Sequence, residues 1–130
     1  MILKKYKFIF GENQLYEIFV TKELRFIIDG EFSDFDSVYV NDLLLEQWNY
    51  TVSVENTNIT LNNEYLDTLD KNTYTIKFVY KNGGFAQTDF VIEKNMINSN
   101  LVINYKNIII ILFVITYLFA IKNGNYKSEL

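Results

Sequence analysis

Four carboxylates crowd one short stretch, Asp29-Gly30-Glu31-Phe32-Ser33-Asp34-Phe35-Asp36. Two kinds of chemistry use such a cluster. Loop oxygens hold Ca²⁺, and a carboxylate pair such as Asp34 and Asp36 performs the acid–base or nucleophilic work of a glycosidase. The spacing does not match an EF-hand loop, and no cleft-forming segment surrounds the pair. The stretch reads as a solvated acidic turn. The chain has neither Cys nor His, which removes thiol nucleophiles, imidazole bases and the usual zinc or copper ligands. No catalytic residue, metal site or cofactor is expected, and the chain reads as a non-enzyme.

Aromatic residues are the other source of chemistry, at 17% of the sequence. A glycan site needs exposed rings with polar groups converging beside them, because stacking supplies area and hydrogen bonds supply selectivity. Phe19 and Tyr39 fall on outward strand parity, as does Val79, and are the first choices for a contact surface. Trp48, the single Trp, has two readings. It shares the parity of Tyr50 and Val52, which turns it towards the core if that strand begins early; otherwise it is free to stack on sugar. Phe19, Tyr39 and Trp48 are therefore the candidate glycan or partner contacts, in three separate strand regions.

The elements that must position these residues are strands. In 73–81, Tyr74, Ile76, Phe78 and Tyr80 alternate with mostly polar neighbours, and Ala86, Thr88, Phe90 and Ile92 repeat the pattern, a period of two. Between them Lys81-Asn82-Gly83-Gly84 is the strongest hairpin signal, since Asn-Gly tolerates positive φ at both central positions of a tight turn. Tyr50, Val52 and Val54, then Ile59 and Leu61 after Glu55-Asn56, predict a second hairpin. Upstream strands are expected over 6–10, 15–20, 24–28 and 37–41. The insert 62–69 breaks the alternation: Asn62 is a good N-cap and Tyr65, Leu66 and Leu69 sit at helical spacing, which predicts one helical turn. Tyr65 then either bonds its hydroxyl to backbone at a sandwich corner or packs as ordinary core.

Asn49-Tyr50-Thr51-Val52, Thr57-Asn58-Ile59-Thr60-Leu61, Tyr65-Leu66 with Leu69, Tyr74-Thr75-Ile76-Lys77-Phe78 and Gly84 resemble the X2 family of immunoglobulin-like modules. Phe10-Gly11-Glu12-Asn13-Gln14, Leu24-Arg25-Phe26 and Asp34-Phe35-Asp36-Ser37-Val38 are similar to its first half. Two positions depart from the pattern, Asn49 in place of the usual Asp and Asn72 in place of the usual Gly; Asn tolerates a left-handed backbone next best after Gly. The resemblance covers roughly 6–93. It implies an all-β, immunoglobulin-like antiparallel sandwich of about seven strands, in the setting of bacterial cell-surface proteins and secreted glycoside hydrolases. It brings no catalytic residues.

The pattern stops after Glu93. Residues 94–106 read as a polar linker, and 107–121 form fifteen uncharged residues, Asn107 to Ile121, followed by a short tail, 122–130, with Lys122 and Lys127. A transmembrane helix is expected at 107–121, though about 22 Å of helix is short against about 30 Å of hydrocarbon; the competing reading is a β-rich segment added to the sandwich. Lysines on both sides leave orientation undecided; the resemblance to surface modules implies a membrane-anchored cell-surface setting, with a cytoplasmic tail anchor as the alternative. Wall attachment by sorting motif requires a proline, and the chain has none. A net charge of −4 argues against nucleic acid. The expected function is a non-catalytic spacer or adhesion module, with a carbohydrate-binding module contacting cell-wall polysaccharide as the alternative; the partners are the membrane, a wall glycan or another protein module.

Overall fold

The computed structural model describes residues 2–94 and 108–123. These fall in two compact units, 1–94 and 95–130. The first holds nine strands: β1 (Phe8–Phe10), β2 (Gln14–Glu17), β3 (Leu24–Ile28), β4 (Phe35–Val40), β5 (Leu43–Leu44), β6 (Tyr50–Ser53), β7 (Thr57–Leu61), β8 (Asn72–Tyr80) and β9 (Phe85–Glu93), with a short helix α1 (Asn63–Thr68) between β7 and β8. They form a four-stranded sheet in the order β1-β3-β7-β6 and a five-stranded sheet in the order β2-β9-β8-β4-β5.

The alternation seen in the sequence sets the layers. Leu24, Phe26 and Ile28 of β3 and Ile59 and Leu61 of β7 turn one way, and Ile76, Phe78 and Tyr80 of β8 with Ala86, Phe90 and Ile92 of β9 turn towards them, all in one buried core. Rings join the sheets: Phe26 and Phe78 have centroids 5.1 Å apart, with Phe8 at 6.4 Å and 5.9 Å from each. Both expected hairpins are present, with Tyr50 opposite Leu61 and Val52 opposite Ile59 in one, and Val79 opposite Phe85 in the other.

Several expectations need correction. Pairing between strands is antiparallel except that β2 runs parallel to β9, because the chain leaves β1 in the first sheet and crosses at Gly11, which has a φ of +102°, to begin a strand on the other sheet; an isolated bridge, Lys5 to Phe85, is parallel as well. The described residues hold nine strands against the expected seven or so, with β5 adding a two-residue edge. The 80–84 hairpin is not a two-residue turn. Only Gly83 has positive φ; Gly83 N–H donates to the Tyr80 carbonyl and Tyr80 N–H to that of Gly84, a three-residue loop closed by a left-handed glycine. Asn82 is occupied elsewhere, accepting from Gly84 N–H and donating to the Tyr6 hydroxyl, both at 2.8 Å. Asn62 starts α1 without a side-chain cap bond and donates instead to the Trp48 carbonyl. The hydroxyl that reaches back to backbone at the corner belongs to Tyr74, bonded to the Asp70 carbonyl at 2.8 Å, while Tyr65 packs against the core. Asn72 lies in extended β8 and is not left-handed.

The second unit shows a helix, α2, over 108–123. At 1.5 Å per residue its sixteen residues reach about 24 Å, short of the roughly 30 Å of bilayer hydrocarbon. No helix among the described residues is long and apolar enough to cross a membrane, so the expectation of a transmembrane helix at 107–121, and with it of a membrane anchor, is not supported. The competing β-rich reading fails as well, because these residues are helical. Residues 95–106 of the expected linker, Asn107, and 124–130 of the expected tail lie outside the described residues.

Two outcomes test the packing. A Cβ placed on Gly30 would lie 2.4 Å from the Tyr80 ring, and that ring is buried and cannot yield. Gly30→Ala is expected to lower stability by about 1–3 kcal/mol in denaturant unfolding; an unchanged midpoint would contradict this packing. The second concerns alkali. Burial, reinforced by the hydrogen bond from its hydroxyl to Asp67 Oδ1 (2.9 Å), pushes the Tyr16 hydroxyl up to about 12, and burial raises Tyr80 to about 12. The unfolded phenols titrate near 10, so between about 10 and 12 the folded chain holds more protons than the unfolded one. The stability these phenols contribute is present below about pH 10 and lost as pH rises towards 12. The denaturation midpoint should fall across that window, and Tyr16→Phe with Tyr80→Phe should flatten the fall; an equal slope in wild type and double variant would contradict the assignment.

Candidate functional site

The first sheet ends at β6 and the second at β4 with its short partner β5. Because β5 pairs only with Tyr39 and Val40, the first half of β4 is left as an open edge opposite β6. A cleft of about 570 Å³ lies there, lined by Phe32, Ser33, Phe35, Asp36, Gln47, Tyr50, Val52 and Lys81.

Its walls are the margin of the core. Phe35 stands edge-on to Tyr50 (6.5 Å) and to Tyr80 (6.0 Å), spanning the gap between sheets. Phe32 sits in a 3-10 turn, Phe32–Asp34, and is 38% exposed. That turn is pinned to β8: Lys81 N–H donates to the Asp34 carbonyl (2.8 Å), and Lys81 Nζ to the Ser33 carbonyl (2.6 Å). Asp36 Oδ2 accepts from Ser37 Oγ at 2.9 Å. Opposite, Gln47 begins a second 3-10 turn, Gln47–Asn49, fixed by bonds from Asn49 N–H to the Glu46 carbonyl and from Asn62 N–H to the Asn49 carbonyl, each 2.9 Å. The Tyr50 hydroxyl is pushed above its ordinary value by burial and by the nearby Asp36 charge, so at neutral pH it is an uncharged hydrogen-bonding group. Rings, a carboxylate, an amide and an ammonium thus meet in one groove. Such a set can bind. As chemistry it offers a single carboxylate and no nucleophile–base pair.

The acidic turn is largely accounted for by structure. Asp29 Oδ1 accepts from Lys7 N–H (2.9 Å), and among the described residues no three carboxylates gather as a metal site requires.

The three contact residues chosen from sequence occupy three different places. Phe19 is not on a strand: β2 ends at Glu17, and Phe19 occupies a turn with φ +71°, 87% exposed. Tyr39 does face outwards on β4, and a depression of about 320 Å³ brings it together with Val79, Lys77 and Asp42. Trp48 is not a core-edge residue. It is 74% exposed, because the chain makes a 3-10 turn before β6 and strand parity does not extend back to it. It adjoins Gln47, which lines the cleft.

Sequence reasoning missed Phe32, Phe35, Gln47 and Lys81. One signal was present: two phenylalanines alternate with the carboxylates of a turn read as wholly solvated, and a turn that carries such rings folds back on an apolar edge.

No family model matches the chain, and no curated protein matches it. Solved structures do. A tri-modular GH5 (subfamily 4) endo-β-1,4-glucanase from Bacillus licheniformis, complexed with cellotetraose, is 11% identical with a TM-score of 0.54, over 70% of this chain and 19% of its own. A second structure of that enzyme gives 13% identity and a TM-score of 0.53, over 70% of this chain and 18% of its own. SGBP-B of the mixed-linkage glucan utilization locus of Bacteroides ovatus, in complex with a mixed-linkage heptasaccharide, gives 12% identity and a TM-score of 0.43, over 65% of this chain and 22% of its own. The chain spans about a fifth of the length of the solved chains it matches. At this identity the likeness to the glucanase is one of fold, and the likeness to SGBP-B carries no argument.

Proposed function

We propose that residues 2–94 are a non-catalytic, carbohydrate-associated accessory module with an immunoglobulin-like sandwich of X2 type. The observation that carries the reading is the strand order. Immunoglobulin-like sandwiches set strands A, B, E and D in one sheet and C, F and G in the other. The order β1-β3-β7-β6 against β9-β8-β4 corresponds to A-B-E-D against G-F-C, with β2 added beside G and β5 beside C. The sequence resemblance to X2 modules supports the same assignment, and the fold shared with a tri-modular endo-β-1,4-glucanase supports an accessory place beside carbohydrate-active domains. The lack of any nucleophile–base pair in the cleft supports a binding or spacing role over turnover. The setting in this reading is the cell surface or the secreted space.

Full-length protein is expected to release no reducing ends from mixed-linkage β-glucan, cellulose, chitin or peptidoglycan, while sedimenting with at least one of them. Measured release would overturn the non-catalytic half of the proposal. Failure to sediment with any of the four would overturn the carbohydrate-associated half.

A further inference from the structure

We infer that the cleft between β6 and the free half of β4 is the carbohydrate-contacting site, and that its ligand is an uncharged polysaccharide chain. The inference rests on the carbohydrate-associated reading and adds to it a location and a ligand class.

A pyranose presents an apolar C–H face and a girdle of hydroxyls. It needs a ring to lie on and donors and acceptors at that ring's rim. The cleft supplies both. Phe32, Phe35 and Tyr50 give the apolar wall, and Ser33, Asp36, Gln47 and Lys81 give acceptors and donors along it. Its two ionisable chains of opposite sign, Asp36 and Lys81, nearly cancel. An anionic glycan would gain Lys81 and meet Asp36, and a cation the reverse; hydroxyls can donate to the carboxylate and accept from the ammonium at once.

Form agrees with chemistry. The groove runs along a sheet margin and is open to solvent, so it admits a stretch of chain as readily as an end. Both walls are held before any ligand arrives, one by Lys81 on the Ser33 and Asp34 carbonyls, the other by Asn62 on the Trp48 carbonyl and Asn49 on that of Glu46. Binding then orders little new structure, which favours affinity. Trp48 follows Gln47 on that fixed turn, is exposed and, as the single Trp, serves as the reporter.

Among rival surfaces, the depression at Tyr39 is the one that holds a candidate contact residue. It holds one ring, with Val79, Lys77 and Asp42, and Lys77 Nζ lies 4.7 Å from the Phe85 ring. That depression offers one ring, whereas the cleft offers the exposed Phe32 and the half-buried Phe35, backed by the buried Tyr50.

The test is titration of full-length protein with soluble mixed-linkage β-glucan, hydroxyethylcellulose and polygalacturonate, read by Trp48 fluorescence and calorimetry. Phe32→Ala, Gln47→Ala and Tyr39→Ala are carried alongside, their folding checked by circular dichroism. All three residues are at least partly exposed, so folded variants are expected. Saturable binding of a neutral polymer, weakened about tenfold or more by Phe32→Ala and by Gln47→Ala and unchanged by Tyr39→Ala, is the predicted result. Binding lost in Tyr39→Ala and retained in the cleft variants would overturn the cleft and leave the carbohydrate-associated reading standing. Tighter binding of polygalacturonate would overturn the ligand class. Failure of the wild type to bind any polymer, soluble or insoluble, would overturn this inference together with the reading beneath it.

Discussion

The two sheets are held together by a seam of aromatic rings, and the rest of the module follows from it. Phe26 on β3 meets Phe78 on β8 at 5.1 Å, with Phe8 against both. From there the rings continue along the inner face of β8: Tyr6 stacks at 4.0 Å on Tyr80, Tyr80 meets Phe35, and Phe35 meets Tyr50 across the gap. Each such contact adds about 0.5–1.5 kcal/mol to the area it buries. With no Cys to form a disulfide, a unit of this size depends on area of this kind.

The proposed site lies where the seam runs out. Between β6 and the half of β4 that β5 leaves uncovered, Phe35 and Tyr50 have one side in the core and one towards the cleft. The chain closes the gap only with two short 3-10 turns. One brings Phe32 and Ser33, the other Gln47, and Lys81 ties the first turn to β8. In the proposed reading, rings that help to hold the sheets also form the binding wall, so the wall stands without ligand.

Much of this was legible in the sequence. The period of two in β8 and β9 identified the inner faces, and Asn82-Gly83 and Glu55-Asn56 marked the two hairpins, because alternation and turn residues act locally. What the sequence hid were long-range choices. Nothing near Gln14 announces that its strand pairs parallel with Phe90 on a sheet reached only after most of the chain. Trp48 obeyed a parity rule that its 3-10 turn suspends. Asn62 was read as a cap when its amide is drawn to Trp48, a partner fourteen residues away. Phe32 and Phe35 were masked by the charges around them. The apolar stretch near the C-terminus shows the converse: its composition suggests a span, while no helix among the described residues is long and apolar enough to make one.

The central claim, that the open margin of the aromatic seam is where the module meets its ligand, is tested most directly by amide chemical-shift mapping of the full chain with a neutral β-glucan oligosaccharide. The account predicts that shifts cluster at 32–36, 47–52 and 81. Shifts centred on Tyr39, Lys77 and Val79, with those three segments unmoved, would contradict it.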